Sequence, residues 1–580
     1  MNMKRIPIFL FSLTVLLVAC RQEEPADFFI MDSVFSNSPE GETLSAYNDP
    51  DFLKNQGYDA KVLTSDAQSA LLYNNVKRGI VARKSDEYRW IKEKAQAIDR
   101  QLKACRKAQI ASYSYTDLLV LPQSVWDEYA AEINSEDFSI QQPLVQDLLK
   151  AQVEALFDRF PDLDGLVIST SDARSQDLPY HTAQRIIRQG EAGLEDHIKL
   201  ISILREEVCV KRHKMLFYRT WDEGFFHTQP EAYLTVTEQI ATHPNLVFSI
   251  KHTAGDFVRT MPFNPTIGVG KHKQIVEVQC QREYEGNGAH PNYIGESVIN
   301  AFQENLDNEG LNGLNDFKNH PNFAGVWTWS RGGGESGPYL NNELWCELNA
   351  YVVSHWAQQP HSTEEAIFFD FCEYKGIKED DLVAFRNMAL YSTLGVFQGA
   401  LSQFVDIDPF WKQDDFLGGV AVPDENGVLT PFEGCLNQDF EAIIDKDLVD
   451  EVINEKIEAV NLWMVIEDIS RYMTSGDGEF ESYLRVSASY GRIKYDIICQ
   501  GWIIMLKGME GDRTGEYDTN AILTAKAKYD ELWKDFERMQ KMNRQCASFY
   551  HPYRFAQDAA QSAGVGLDKA IHYYVDKVQQ

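Results

Sequence analysis

Short apolar runs alternate with longer amphipathic stretches from about Asp27 to Arg331. The runs are rich in β-branched and aromatic residues and have the length of strands. The stretches between them repeat apolar residues at helical spacing, as in Tyr88–Lys107, Pro143–Phe160 and Leu194–Val208. The pattern therefore predicts eight strands, which are Phe28–Met31, Ala60–Leu63, Gln109–Tyr113, Gly165–Ser169, Met215–Arg219, Leu246–Lys251, Ile275–Gln281 and Gly325–Trp329.

Strands that alternate with helices in this way predict an α/β fold, a (β/α)₈ TIM barrel over residues 27–354. An open, doubly wound sheet would show the same alternation. It is the less favoured alternative, because no Gly-x-Gly-x-x-Gly run follows the first predicted strand. In a barrel, functional side chains are expected where the strands end and the following loops begin.

The pattern changes at about His355. Apolar residues at helical spacing then dominate 363–406, 436–474 and 519–545, and strand signals are few. We therefore expect a mainly α-helical C-terminal domain over residues 355–580.

The N-terminus has the features of a bacterial lipoprotein signal. Two basic residues precede an apolar run that is too short to span a membrane and that ends in Leu17-Val18-Ala19-Cys20, which resembles a lipobox. We predict a signal peptide over residues 1–19, lipidation of Cys20 and a tether over residues 20–26. The alternative is an ordinary secretory signal in which Cys20 is incidental. The lipobox predicts a location in the cell envelope, anchored to the outer membrane and facing the periplasm or the surface.

Charge and cysteine usage exclude several classes of function. The formal net charge of −32 and the lack of a basic segment disfavour nucleic acid as a partner, and an anionic ligand would need a local basic pocket. The cysteines show no Cys-x-x-Cys spacing and no Cys/His cluster. We expect no metal, no cofactor and no disulfide scaffold.

Carboxylates follow three of the predicted strands. Asp172 comes after the fourth strand, Asp256 after the sixth and Glu283 after the seventh. Glycoside hydrolysis needs two carboxyl groups, one to protonate the departing oxygen and one to activate water or attack the sugar. The strand ends therefore predict a carbohydrate-active enzyme whose partner is a sugar substrate.

Residues 246–295 read LVFSIKHTAGDFVRTMPFNPTIGVGKHKQIVEVQCQREYEGNGAHPNYIG. This segment resembles the core of the glycoside hydrolase family 67 α-glucuronidases. The shared features are a Lys five residues before an Asp, a Phe-x-Pro turn, a Glu-x-Gln strand and the glycine-rich run that follows it. The resemblance implies an inverting, exo-acting enzyme that removes a uronic acid from polysaccharide-derived oligosaccharides.

The same resemblance implies roles for individual residues. Asp256 and Glu283 match the two family carboxylates that hold and deprotonate the nucleophilic water. Lys251 matches a family lysine near the carboxylate of the substrate, and Arg219, in the sequence Phe-Tyr-Arg-Thr-Trp, matches an arginine with the same duty.

Asp172 is the expected general acid, although the family has a Glu in a Ser-Glu-Gly context where this chain has Ser-Asp-Ala. Asp222 and Glu223 are the alternative acids. An inverting enzyme predicts an acid and a base roughly 6.5–9.5 Å apart, and a spacing near 5 Å would favour retention.

Four other residues are candidates for contact with the sugar. His252 is either a hydrogen-bonding residue of the sugar site or a structural histidine, and Arg282 is expected to orient its neighbours. Trp327 and Trp329 could form a sugar platform. Alternation is expected to turn one of the two inward and the other outward, so we expect only one of them, Trp329, to face the ligand.

Two other functions stay open. The barrel could hydrolyse a neutral or differently charged sugar, with Arg219 and Lys251 in structural ion pairs. Alternatively, the protein could be a surface glycan-binding lipoprotein that has lost catalysis, for which the Glu-to-Asp change at position 172 is the supporting feature.

Overall fold

The computed structural model describes most of the chain, namely residues 28–35, 45–63, 66–133, 138–170, 178–222, 224–257, 261–282, 290–332, 344–407, 419–431, 435–543 and 563–580. The predicted signal peptide, Cys20 and the tether lie outside these residues, as do Asp172, Glu223 and Glu283. Among the helices in the described part, none is both long enough and apolar enough to cross a membrane.

The strands confirm the barrel prediction. The described residues contain the strands β1 Phe29–Val34, β2 Ala60–Leu63, β3 Ala111–Asp117, β4 Val120–Pro122, β5 Gly165–Ser169, β6 His181–Ala183, β7 Met215–Arg219, β8 Leu246–Lys251, β9 Lys273–Gln279 and β10 Phe323–Arg331. Eight of them are parallel and close into a barrel in the order β1-β10-β9-β8-β7-β5-β3-β2, and β4 pairs with β6 in a separate antiparallel sheet.

Alternation along the strands separates two cores. One set of side chains points into the barrel and is rich in aromatic residues, so the interior is packed rather than hollow. It consists of Met31, Phe35, Ala60, Val62, Tyr113, Tyr115, Val167, Phe217, Val247, Ile275, Trp327 and Trp329. The other set points outward and packs under the surrounding helices.

Helices cover the outside of the barrel between the strands. Asp86–Ala108 shows why these stretches are helical: Ser85 caps its first turn, and its buried residues recur three or four positions apart, which creates one apolar face. The helices of this part of the chain are Pro50–Asn55, Asp86–Ala108, Gln123–Ile133, Pro143–Arg159, Glu191–Leu204, Phe225–Thr228, Pro230–Thr237, Gly295–Asn300, Leu314–Phe317 and Leu344–Gln358.

The C-terminal region is helical, as expected. Its helices are Glu364–Tyr374, Leu382–Ala400, Asn437–Asp445, Val449–Tyr472, Gly478–Thr514, Thr519–Met542 and Ala563–Gln579. The longest of them has 37 residues, and the spacing of apolar residues did not predict it because buried residues occur on all its sides. Its ends have clear causes: the Asp477 carboxylate accepts from two backbone N–H groups, and Gly515 adopts a left-handed conformation.

The helix Leu344–Gln358 joins the two regions. It packs on β10, and Asn349 donates hydrogen bonds to the carbonyl oxygens of Cys280 and Asn292 in the segment after β9. Trp345 donates to Ser487 of the long helix at 3.1 Å. The predicted domain boundary at residue 354 falls inside this joining helix and stays a prediction.

Candidate active site

A buried ion pair closes the barrel interior near the carboxyl ends of the strands. Arg219 ends β7, and its guanidinium donates to both carboxylate oxygens of Glu277 on β9 at 3.0–3.1 Å. Both side chains are at most 1% exposed. Ser249 of β8, which lies between these two strands, also donates to Glu277, at 2.9 Å. Arg219 is therefore not accessible to a substrate carboxylate in this arrangement. A structural ion pair of this kind is what the hypothesis of a neutral or differently charged sugar predicts for Arg219.

Aromatic rings surround this ion pair. Tyr115 of β3 accepts a hydrogen bond from Arg219 at 2.7 Å, and the guanidinium lies 4.8 Å from the ring of Trp329 and 5.7 Å from that of Trp327. The expectation that only one tryptophan faces inward is wrong. Residues two apart on a strand share a face, and the two rings pack 4.8 Å apart inside the barrel. Phe35 covers Trp329 at 4.9 Å.

A second ion pair lies at the rim of the barrel. It involves Lys251, the next inward-pointing residue after Ser249 on β8. The ammonium of Lys251 contacts the carboxylate of Asp256 at 2.5 Å, and their side chains are 4% and 18% exposed. The backbone N–H of Phe257 donates to the same oxygen at 2.9 Å. The ammonium lies 3.6 Å from the ring of Trp221 and 4.7 Å from that of Phe257. The two rings therefore position the ammonium, and the ammonium and the Phe257 N–H hold one Asp256 oxygen in place at the mouth of the barrel.

His252 turns away from this mouth. Its side chain is 2% exposed, and its Nδ1 lies 3.2 Å from the carbonyl oxygen of Glu277, which can only accept. Burial first, and then the nearby Arg282 cation, lower the pKa of His252 to about 3. The imidazole is therefore neutral near pH 7, and its burial favours the structural role of the two roles that the sequence left open. Arg282 is also buried, at 5% exposure.

Asp222, an alternative general acid, serves as a local cap instead. Its carboxylate accepts from the backbone N–H groups of Gly224 and His227 at 2.9 and 3.3 Å. Burial alone would raise the pKa of Asp222, but the His197 imidazole and these N–H groups outweigh burial and lower the pKa below its ordinary value. A carboxyl group that stays ionised is a poor proton donor. The lowered pKa and the capping contacts therefore argue against Asp222 as the acid, and the identity of the acid stays a prediction.

Asp172, Glu223 and Glu283 fall outside the described residues, so their convergence with Asp256 and the acid-to-base separation stay predictions. In the sequence, Asp172 follows β5 by three residues and Glu283 directly follows Arg282. Within the described part, no three His, Cys, Asp or Glu side chains come together as a metal site.

The sequence reasoning missed Glu277, which emerges as the partner of Arg219. Glu277 lies in the Glu-x-Gln strand on which the resemblance rests, but no role was given to it. A signal was present: a carboxylate between apolar neighbours on a predicted interior strand requires a buried cation, and Arg219 ends such a strand on the same sheet.

Comparison with known proteins identifies the fold of this chain but does not assign the chain to a family. No family model matches the chain, and no curated protein matches it. Among solved structures, a GH138 enzyme targeting pectin rhamnogalacturonan II aligns with a TM-score of 0.58 at 11% identity, covering 95% of this chain and 67% of that one. An O-GlcNAc hydrolase mutant from Thermobaculum terrenum aligns over 95% of both chains at 9% identity, with a TM-score of only 0.41.

None of the solved structures named here is a family 67 α-glucuronidase, so that resemblance stays a hypothesis from the sequence. The match to the GH138 enzyme covers nearly the whole chain, beyond the barrel alone. The likeness shows the fold alone, and the aligned part of this chain includes both the parallel eight-stranded barrel and the mainly helical region that follows it.

Proposed function

We propose that this protein is a glycoside hydrolase whose active site lies at the mouth of the barrel. The observation that carries the proposal is the Lys251–Asp256 pair. It places a partly exposed carboxylate, fixed by a cation and a backbone N–H, beside two aromatic rings at the carboxyl end of β8. Catalytic groups of barrel enzymes lie at this end. The fold shared with a GH138 enzyme supports the same class.

In this proposal Asp256 helps Glu283 to hold and deprotonate the attacking water, and Asp172 is the general acid. More specifically, we propose an inverting, exo-acting α-glucuronidase-like enzyme that removes a uronic acid from oligosaccharides. Its support is the resemblance of residues 246–295. Since Arg219 is occupied by Glu277, Lys251 is the candidate cation for the substrate carboxylate on this side of the mouth.

A second candidate is a hydrolase for a neutral sugar. The pairing of both predicted cations favours it, because Arg219 is bound to Glu277 and Lys251 to Asp256. A third candidate, a surface protein that binds glycans without cleaving them, retains the mouth and its aromatic rings but lacks turnover.

Hydrolysis of a matched substrate panel separates the three. Purified protein is incubated with oligosaccharides capped by glucuronic acid, galacturonic acid or the corresponding neutral hexoses, and products are followed by NMR. The α-glucuronidase-like proposal predicts release of the uronic acid alone, with the opposite anomer appearing first. Release of neutral hexoses at equal rate supports the second candidate. Binding without any release supports the third and overturns the enzyme.

We also propose that Cys20 carries a lipid anchor in the outer membrane. The lipobox-like end of the N-terminal apolar run supports this. Labelling of growing cells with a palmitate analogue, followed by detergent phase partition, should show a labelled, detergent-soluble protein, and C20A should lose both properties. A labelled C20A protein would contradict the anchor.

A further inference from the structure

Residues 77–107 carry a charge opposite to that of the chain as a whole. They contain eleven Lys or Arg and four Asp or Glu, which gives a local charge of +7 in a chain with a net charge of −32. All of these residues are described, and ten of the eleven cations are exposed. This stretch therefore corrects the expectation that the chain has no basic segment.

These cations lie on the outside of the barrel. Most of them belong to the helix Asp86–Ala108, whose buried residues pack towards the barrel. Lys92 and Lys103 are eleven positions apart, which is three helical turns, so they lie on the same side of the helix and about 16 Å apart along its axis. Arg100 lies between them, one turn from Lys103. The loop that directly precedes the helix adds further cations at its start.

The side chains of six of these cations have neither an ion pair nor a hydrogen bond to any described residue. Among the others, Lys94 lies over the ring of Trp90 at 5.7 Å. Ion pairs engage the remaining four, which are Lys77 with Glu128, Arg89 with Asp86, Arg106 with Asp162 and Lys107 with Asp51. The six, which we call the basic row, are Arg78, Arg83, Lys84, Lys92, Arg100 and Lys103.

The acids of the same stretch do not neutralise the basic row. One of the four is in the ion pairs above. Asp99 accepts from both terminal nitrogens of Arg159 at 3.0 and 2.5 Å, and Glu87 is buried and accepts from the backbone N–H of Ser124 at 2.9 Å. Among the described acids of the stretch, Glu93 alone is left to offset six cations, so the row keeps a positive potential.

A pocket of about 280 Å³ opens beside Lys92. Asn74 and Asp158, which are both exposed, also line it. Asn74 accepts from the backbone N–H of Gly79 at 3.0 Å through its Oδ1, so its amide nitrogen is left to donate. An amide donor and a carboxylate acceptor are groups that bind sugar hydroxyls, and an ammonium binds a carboxylate. The volume, just below the usual range of ligand pockets, is room for one sugar ring.

We propose that the basic row binds an acidic polysaccharide, a chain of uronic acid units that lies along the helix with one ring in the pocket beside Lys92. The carboxylates of the chain contact the ammonium and guanidinium groups of the row, and its hydroxyl groups contact Asn74 and Asp158. The row holds polymer on the outside of the barrel and takes no part in cleavage. The choice of uronic acid units rests on the proposed function, whereas the binding of an anionic chain follows from the row alone.

Charge density separates this partner from other polyanions. A nucleic acid strand has a charge about every 3.4 Å, and the acidic remainder of this protein repels it wherever it extends beyond the row. A membrane surface is broad and would also meet the acids beside the helix, such as Asp51 and Asp162. A uronic acid chain is narrow, has one charge for each sugar ring and brings the hydroxyl groups for which the pocket has partners.

The test is biolayer interferometry of the full protein on immobilised polygalacturonate, at low and at high salt, with dextran as the neutral polymer. We expect binding to polygalacturonate that high salt abolishes, and no binding to dextran. A variant that combines K92Q, R100Q and K103Q should raise Kd at least about tenfold, because it removes three of the six cations that meet the chain. A variant that combines R78Q, R83Q and K84Q should also weaken binding.

The matched control combines K446Q, K534Q and K541Q, which removes the same charge from exposed lysines of the C-terminal helical region. Its Kd should stay within about twofold of the wild-type value. Equal losses in the control and in the helix variant would show an effect of net charge only and would overturn the basic row. Tighter binding of single-stranded DNA or of phosphatidylglycerol vesicles than of polygalacturonate would overturn the polysaccharide as the partner.

Failure of the glycosidase proposal looks different. In that case polygalacturonate still binds the wild type more tightly than the helix variant, while no oligosaccharide of the panel is cleaved. Conversely, polygalacturonate binding that the helix variant leaves intact overturns the basic row, and cleavage of short, uronic-acid-capped oligosaccharides by the same variant would then leave the enzyme proposal standing.

Discussion

The two ion pairs near the carboxyl end of the barrel are chemically alike but differ in their access to water. Arg219 and Glu277 are sealed inside, with three strands and several aromatic rings around them. Lys251 and Asp256 lie closer to the rim of the barrel, and the Asp256 side chain is 18% exposed there. A sealed pair cannot meet a substrate, so its role is to close the interior, whereas the pair at the rim can take part in chemistry.

The difference also concerns what fixes each carboxylate. Glu277 accepts four hydrogen bonds, three from Arg219 and one from Ser249, so both oxygens are engaged. Asp256 is fixed through its Oδ1, which contacts both Lys251 and the Phe257 N–H. Similar residue types are therefore fixed through both oxygens in the sealed pair and through one oxygen in the pair at the rim, and the contributions of the two pairs can be separated by measurement.

The largest expected effect is the loss of stability in E277Q. This change leaves the buried Arg219 cation without its counter-charge, which costs about 3–5 kcal/mol in comparable buried pairs. Urea denaturation followed by circular dichroism measures the free energy of unfolding. The control is E238Q, which breaks an exposed pair with Lys271 and should cost under about 1 kcal/mol. Equal effects of the two changes would contradict a sealed inner layer.

D256N should separate activity from stability. If Asp256 assists water activation, kcat falls by at least about 10²-fold, as for other acid–base groups. The fold should be affected less than in E277Q, because water can reach this site. Steady-state kinetics on the glycoside that the substrate panel identifies, together with urea denaturation, gives both quantities. Full activity in D256N would remove Asp256 from the mechanism.

D32N tests a third carboxylate, that of Asp32 on β1. Its side chain points outward from the barrel, under the surrounding elements, and is fully buried. Burial raises the pKa of Asp32 to about 7, partly offset by hydrogen bonds from Thr328 and Ser330 and by the charge of Lys61. The folded protein then holds this proton more tightly than the unfolded chain. Its stabilising contribution is complete below the ordinary value of 3.8 and is lost as pH rises towards 7.

The free energy of unfolding of the wild type, relative to D32N, should therefore fall between pH 4 and pH 7 by at most about 1.4 kcal/mol per pH unit. Urea denaturation at several pH values measures this difference, and other titrating groups cancel between the two proteins. A difference that stays flat with pH would show that Asp32 is ionised in the folded protein.

The smallest expected effect is that of D222N on turnover. Asp222 caps the turn after β7 and its pKa is lowered, so kcat should remain within about threefold of the wild-type value. A loss of kcat as large as that in D256N would reinstate Asp222 as the acid.

The sequence predicts the scaffold well, because a buried strand between helices leaves a local signal. The bounds of Ala60–Leu63, Gly165–Ser169, Met215–Arg219 and Leu246–Lys251 agree with the structure to the residue. The long helix Gly478–Thr514 left no such signal, since it is buried on all sides and lacks the single apolar stripe that marks a helix.

The candidate site was harder to predict, because partners depend on how distant strands meet. The sequence identifies Arg219 as a strand-end cation, but its pairing with Glu277, 58 positions away, requires the order and register of the closed sheet. By contrast, the Lys251–Asp256 pair spans only five positions, from the end of β8 into the loop that follows, so the two residues are close in the sequence as well as in the structure. The inward position of Trp327 was also available from alternation, so that error was avoidable.

The sealed Arg219–Glu277 layer has a consequence for how such a protein can change over evolutionary time. This layer fills the barrel interior independently of the sequence of the loops above it. Loop residues can then be exchanged, inserted or lost with little effect on the scaffold, which is how one barrel architecture accommodates many chemistries. New binding preferences in descendants of this chain should therefore arise in the loops above this layer, with the layer itself retained.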